Sequence, residues 1–160
     1  MRRTGRRSEV DNLSPGARSR AMRGVRSHDT TPERIVRSVA HSLGFRFRLK
    51  RRDLPGSPDL TFPRLRAVVF VHGCYWHQHR CPRGARQPKT NRSYWLPKLR
   101  RNVERDRRAI RALRRDGWRV LVVWECQTRD NAALSSTLKA FLSHRHSRRK
   151  PRRQGLGRPS

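Results

Sequence analysis

The stretch "RAVVFVH" (66–72) sets five consecutive apolar residues between an arginine and a histidine. A short run this rich in β-branched side chains predicts a strand buried on both faces. "WRVLVVWE" (118–125) has the same character and predicts a second such strand. Between them lies a long helical pattern from about Ser93 to Asp116, with Leu96, Leu99, Val103, Ile110 and Leu113 as its apolar stripe and Gly117 as its stop. Pro97 suits only the beginning of that helix. Two buried strands joined through a helix imply a crossover, and hence a mixed sheet covered on both faces. The expected class is α/β: a three-layer core whose mixed central sheet is flanked by helices.

The elements outside this unit extend the same pattern. In "TTPERIVRSVAHSLG" (30–44), Thr30 or Thr31 suits a cap, Pro32 the first turn and Glu33 the positive end of the helix dipole. Ile35, Val36, Val39, Ala40 and Leu43 share one face, and Gly44 ends the helix. "FRFRL" (45–49) alternates apolar and basic residues, as a half-buried strand does. "DLPGSPD" (53–59) is a turn, "DLTF" (59–62) a further extended segment, and 131–143 a last helix.

The 160 residues fit one domain, and the net charge is +30, with 41 basic residues against 11 acidic ones. Such an excess exceeds what solubility requires and points to a polyanionic partner. No apolar run approaches the roughly 20 residues that span a bilayer, so a membrane is not expected. The arginines at positions 2, 3, 6 and 7 have no apolar segment behind them, which excludes a secretory signal there. The expected organisation is a basic, disordered tail at 1–18, a domain at 19–143 and a second basic, disordered tail at 144–160. Three cysteines cannot build a disulfide framework and read better as metal ligands in a cytosolic protein.

"VHGCYWHQHRC" (71–81) concentrates the chemistry. Cys74 and Cys81 share one short loop, and Cys126 closes a strand expected to run beside the one ending at His72. A fourth ligand must come from His72, His77 or His79. His79, two residues from Cys81, approaches the same ion from a tight turn. The expected set is Cys74, His79, Cys81 and Cys126, a closed and therefore structural zinc site; the alternative is a group of buried free cysteines.

That choice leaves His72 and His77 for other work. Asp59 opens a strand after a turn, where metal-dependent nucleases place the carboxylate that holds Mg²⁺. The acid and lysine that such enzymes carry on the next strand are missing from "VVFVH". Asp59 with the Val71 backbone carbonyl is expected to hold Mg²⁺. A free imidazole titrates near working pH, so His77 is the residue expected to take the water's proton or relay it. His72 would hydrogen-bond the phosphate or the attacking water, and Glu33 would orient a histidine or serve only the helix dipole.

Several blocks together resemble the very short patch repair (T:G mismatch) DNA endonucleases. They are "SRAMRGVRSHDTTPE" (19–33), "LPGSPDL" (54–60), "FVHGCYWHQHRC" (70–81), "YWLPKLRRNVERDRR" (94–108) and "GWRVLVVWEC" (117–126), in the family's order. The resemblance implies a restriction endonuclease-like fold and a nick 5′ to the thymine of a T:G mismatch left by deamination of 5-methylcytosine. It assigns Asp59 to catalytic Mg²⁺, His77 to catalysis with His72 and Glu33 assisting, and the Cys₃His set to zinc. This family also lacks the acid–lysine pair. Tyr75 and Trp76 are candidate wedges between base pairs, where a mismatched step costs least to open; Trp95 matches a third wedge position.

Met22 and Arg23, within a DNA-contacting segment at 19–33, match positions that touch DNA from the other side. Lys98 and Asn102 lie four apart on one helix face and are candidates for base edges or phosphates. The expected partner is double-stranded DNA bearing a T:G mismatch, with mismatch-repair proteins as family-level companions. A monomer at the bacterial nucleoid in the cytoplasm is expected. The alternative class is a non-catalytic, basic, zinc-containing nucleic-acid-binding protein.

Overall fold

In the computed structural model, residues 29–144 are described. The expectations for the tail at 1–18, for Met22 and Arg23 in the segment 19–33, and for the tail at 144–160 beyond His144 lie outside the described residues. The described chain runs α1 (Thr31–Ser42), β1 (Leu60–Phe62), β2 (Ala67–His72), α2 (Arg92–Arg115), β3 (Arg119–Trp124) and α3 (Asn131–Ser143). Two 3₁₀ turns, Pro63–Leu65 and Glu125–Arg129, follow β1 and β3.

The sheet is mixed, as the crossover required. β2 is central, antiparallel to β1 (Leu60 opposite Val69) and parallel to β3 (His72 opposite Trp124). Because side chains alternate along a strand, Ala67 and Val69 face one layer while Val68 and Phe70 face the other. The first layer is α1 and α3, through Val36, Ala40, Leu134, Leu138 and Leu142. The second is α2, through Leu113 with Ile110 packed beside it. Leu138 is completely buried, and its truncation to alanine should cost about 2–5 kcal/mol.

The capping signals operate in detail. α1 ends with Gly44 N–H on the His41 carbonyl and Phe45 N–H on the Ala40 carbonyl, the paired bonds of a glycine-terminated helix. At α3, the Asp130 carboxylate accepts from Ala133 N at 3.0 Å.

Two expectations need correction. "FRFRL" is not a strand: only Arg48 pairs, in an isolated bridge to Thr61. Its alternation is real, since Phe45 and Phe47 both meet Phe62 edge-on (6.4 and 5.8 Å), but the backbone turns away at Lys50, whose φ is +54°. β3 is less enclosed than its composition implied; Val123 is fully buried while its neighbours are only partly covered.

Candidate active site and metal cluster

The C-terminal ends of the parallel strands β2 and β3 place His72 beside Trp124, and both chemical loops leave from there. A cleft of about 560 Å³ opens at this end, with Asp59, Val71, His72, His77 and Asp106 among its lining residues.

Asp59 sits where β1 begins, after the fully buried Pro58. Its Oδ2 accepts from Val71 N–H at 2.7 Å. An extended residue points its N–H and C=O to the same side, so the Val71 carbonyl also faces Asp59. Burial pushes the Asp59 carboxyl up to about 6, and the Glu33 carboxylate adds to that; the Val71 N–H bond, Arg37 and His77 pull the other way. A partly buried carboxylate beside a second acid and a backbone carbonyl is a hard-oxygen donor set, and it fits a divalent cation such as Mg²⁺.

Glu33 is buried, but among the described residues its carboxylate takes hydrogen bonds from Asp29 N–H, Thr30 Oγ1 and Arg37 Nη2. It therefore closes the start of α1 and adds negative charge near Asp59; these bonds do not orient a histidine.

His77 Nδ1 hydrogen-bonds Asp106 Oδ2. Burial works against the Asp106 charge, yet the bond and charge of His77 outweigh it and hold the carboxyl below its usual range. The His72 ring stacks on His77 at 4.0 Å and 9°. Burial, and then the proximity of His77, depress His72 to about 4, so it is neutral near pH 7. Imidazole lone pairs lie in the ring plane. Two parallel rings therefore do not converge on a common ion, although His72, His77 and Asp106 lie close enough to be counted as donors. The arrangement suits proton handling better than ligation.

Asp106 escaped the sequence reading. It lies amid the arginines of "NVERDRR" and looks like one more solvated helix charge. One signal was available: it falls one turn from Asn102 and one turn before Ile110, which with Leu113 packs toward the sheet.

The structure brings Cys74, His79, Cys81 and Cys126 together, their ligand atoms within 4.8 Å of one another. His79 N–H bonds the Cys74 carbonyl at 3.0 Å, tightening the loop, and Cys126 Sγ lies 3.5 Å from His79 Nδ1. Cys126 comes from the 3₁₀ turn after β3, so the cluster ties the loop to the sheet. Glu125 accepts from Cys74 N–H at 3.3 Å and pairs with Arg83 at 3.0 Å. Burial pushes Cys74 up to about 12, whereas Gly84 N–H and then His79 pull Cys81 down to about 6. Three sulfurs and an imidazole nitrogen in a four-donor shell fit zinc.

The aromatic residues form a row. Tyr75 meets Trp76 at 5.2 Å, Trp76 meets Trp95 at 6.0 Å, and Trp95 meets Tyr94 at 5.0 Å. Lys98 Nζ lies over Trp95 at 5.2 Å, while Asn102 Nδ2 donates to the Trp76 carbonyl at 3.4 Å. Asn102 thus holds the loop that carries Trp76, a role its spacing did not suggest.

A cleft lined by carboxylates and imidazoles, in a chain of net charge +30, is equipped for phosphodiester cleavage, and the class is that of the DNA endonucleases. Residues 10–83 match the family described as DNA mismatch endonuclease Vsr. The chain is 52% identical over 133 residues to the type II nicking enzyme V.XorIIP of Xanthomonas oryzae pv. oryzae, covering 83% of this chain and 97% of that one. It is 43% identical over 126 residues to the DNA mismatch endonuclease Vsr of Escherichia coli, covering 79% and 80%. It is 48% identical over 113 residues to the type II nicking enzyme V.NaeI of Lentzea aerocolonigenes, covering 68% and 67%. The chain belongs to the Vsr DNA mismatch endonuclease family.

Proposed function

We propose that this chain nicks one strand of double-stranded DNA 5′ to the thymine of a T:G mismatch, using Mg²⁺, on a restriction endonuclease-like core braced by zinc. The observation that carries the reading is the shared cleft: Asp59, which accepts from Val71 N–H, and the His77–Asp106 pair line the same space.

Mg²⁺ bound by Asp59 and the Val71 carbonyl would neutralise charge on the scissile phosphate. With Nδ1 engaged by Asp106, Nε2 is the ring nitrogen of this cleft-lining histidine left to take a proton. That nitrogen accepts the proton of the attacking water, and Asp106 fixes the tautomer and stabilises the imidazolium that results. His72, neutral and stacked on His77, restricts the ring to one plane and can offer an N–H to the phosphate. Zinc held by Cys74, His79, Cys81 and Cys126 would brace the loop that carries His77.

Tyr75, Trp76 and Trp95 serve as the wedge that enters the stack beside the mismatch, where weak pairing lowers the cost of opening. The substrate and the bacterial relatives are consistent with action at the nucleoid. No described helix is long and apolar enough to cross a membrane.

The test is a panel of mismatched, end-labelled duplexes incubated with and without Mg²⁺, mapping which strand breaks and where. Asp59→Ala is expected to abolish the nick while still binding DNA. Equal cutting of matched and T:G duplexes would remove the mismatch assignment, and an active Asp59→Ala variant would remove the metal assignment.

A further inference from the structure

The segment between Arg48 and Asp59 is fastened at both ends. Arg48 N–H bonds the Thr61 carbonyl at 2.8 Å and Thr61 N–H returns to the Arg48 carbonyl at 2.9 Å, tying the segment to the strand that Asp59 opens. At the far end Leu54 packs into the α2-side core, and Gly56 approaches α2 so closely that a Cβ there would lie 2.7 Å from Ala109 Cβ. Between these anchors, Arg52 N–H closes a tight turn onto the Lys50 carbonyl at 2.9 Å.

The charges on this turn are unevenly satisfied. Arg51 forks onto Asp53 with bonds of 2.7 and 2.5 Å, and Asp53 is the loop's first acid. Lys50 and Arg52 are exposed and have no acidic partner among the described residues. Both line the cleft that holds Asp59, as does Arg105 of α2. Arg105 itself keeps only a loose 3.9 Å contact with Asp106. Two unneutralised cations are thus carried beside the cutting residues on a turn fastened at both ends.

We infer that Lys50 and Arg52 form a phosphate clamp that grips the phosphodiesters next to the scissile one on the nicked strand. The assignment rests on the nicking function proposed above and gives that cleft its backbone-holding residues. The ligand chemistry follows from the site: a strand whose scissile phosphate lies at Asp59 must carry its neighbouring phosphates past the cleft walls, and one wall is this cationic turn. Arginine can fork onto two phosphate oxygens, while lysine acts as a point charge. A contact to the backbone positions the strand without reading its sequence.

The experiment uses the full chain with its zinc and measures binding to T:G duplexes without Mg²⁺ across a salt series. Lys50→Gln with Arg52→Gln should weaken binding by about tenfold or more and flatten the log–log salt slope by about 2. Duplexes in which one phosphate at a time is replaced by a neutral methylphosphonate then locate the contact. Neutralising a linkage adjacent to the nick should weaken wild-type binding by about threefold to tenfold and leave the double variant's affinity unmoved.

Lys50→Arg with Arg52→Lys keeps the charge and should retain both the slope and the sensitivity to the neutral linkage. The pair Arg114→Gln and Arg115→Gln, at the far end of α2, should stay sensitive to the neutral linkage. A glutamine double variant that still loses the same factor on those duplexes overturns the clamp, as does a wild-type slope that the substitutions leave unchanged. Nicking by the wild type with Mg²⁺ is read in parallel. A wild type that nicks but shows no such coupling overturns the clamp alone. One that cuts no mismatched duplex overturns the underlying function and the clamp with it.

Discussion

The His79 imidazole stacks on the Trp124 indole at 4.3 Å and 18°. The same indole meets His72 at 5.4 Å, edge to face, and His72 stacks on His77. The parallel register that sets His72 opposite Trp124 is what makes this chain of rings possible. The Trp124 indole, with the His72 ring beyond it, therefore lies between the proposed zinc ligand and the proposed proton acceptor. Replacing it with a smaller aliphatic group should let the imidazoles shift, and a shift of about 1 Å can cost a hundredfold in rate. Trp124→Leu is expected to slow single-turnover nicking by about tenfold to a hundredfold with zinc content and DNA affinity preserved. Trp124→Phe, which keeps a flat ring, should recover most of the rate. If the leucine variant nicks normally, the rings are packing and nothing more.

Asp106→Asn offers a sharper test of the dyad. Asparagine keeps the shape but removes the charge that stabilises an imidazolium, and its amide can hold the ring in the wrong tautomer. The rate at saturating DNA should fall by about 10²–10⁴, with the duplex dissociation constant unaltered. A wild-type rate for this variant would mean that His77 works without Asp106 or does not accept the proton at all.

The difference between Asp59 and Asp106 shows how far the sequence could be read. Asp59 follows a proline turn and opens a strand, so its place in a motif was visible. Asp106 becomes meaningful only when α2 crosses the sheet and sets it against His77, a pairing across 29 residues. The strands β2 and β3 were legible because burial writes itself as composition. "FRFRL" misled because alternation records which side chains face the core, not whether the backbone finds a partner. The zinc candidates were legible as residue types, but the convergence of Cys126 depends on a 3₁₀ turn after β3 that no pattern announced. Glu33 was visible as a helix-start acid, and that is what its bonds to Asp29 and Thr30 show.

The Cys₃His cluster makes a stoichiometric prediction. Elemental analysis of the purified chain should find one zinc per molecule, and Cys74→Ser or Cys126→Ser should lose it. A ligand-bound native state is stabilised in proportion to the logarithm of ligand excess, so removal of the ion lowers the melting temperature. A loss of about 3 kcal/mol would lower the midpoint by about 6–12 °C in a chain this size. Zinc-free protein that melts at the same temperature as the native preparation would mean that the four residues do not stabilise the fold through a metal.

Gly84 provides a test of the cluster that touches no ligand atom. Its backbone N–H donates to Cys81 Sγ at 3.4 Å, so the residue must lie against the loop. A Cβ built there would lie 2.2 Å from the His79 carbonyl oxygen and 2.8 Å from that of Cys74, both backbone atoms that cannot rotate away. Gly84→Ala must therefore push apart the two turns that present His79 and Cys74. Overpacking of this kind costs about 1–3 kcal/mol or more, and here the displaced atoms belong to the donor-bearing loop. The expected result is reduced zinc occupancy, a lower melting temperature and slower nicking together, because His77 rides on the same loop. Ala85→Gly, one residue along and exposed, should leave all three close to wild type. If Gly84→Ala keeps its zinc and its rate, the loop is looser than these contacts require, and bracing by the metal cannot be what positions His77.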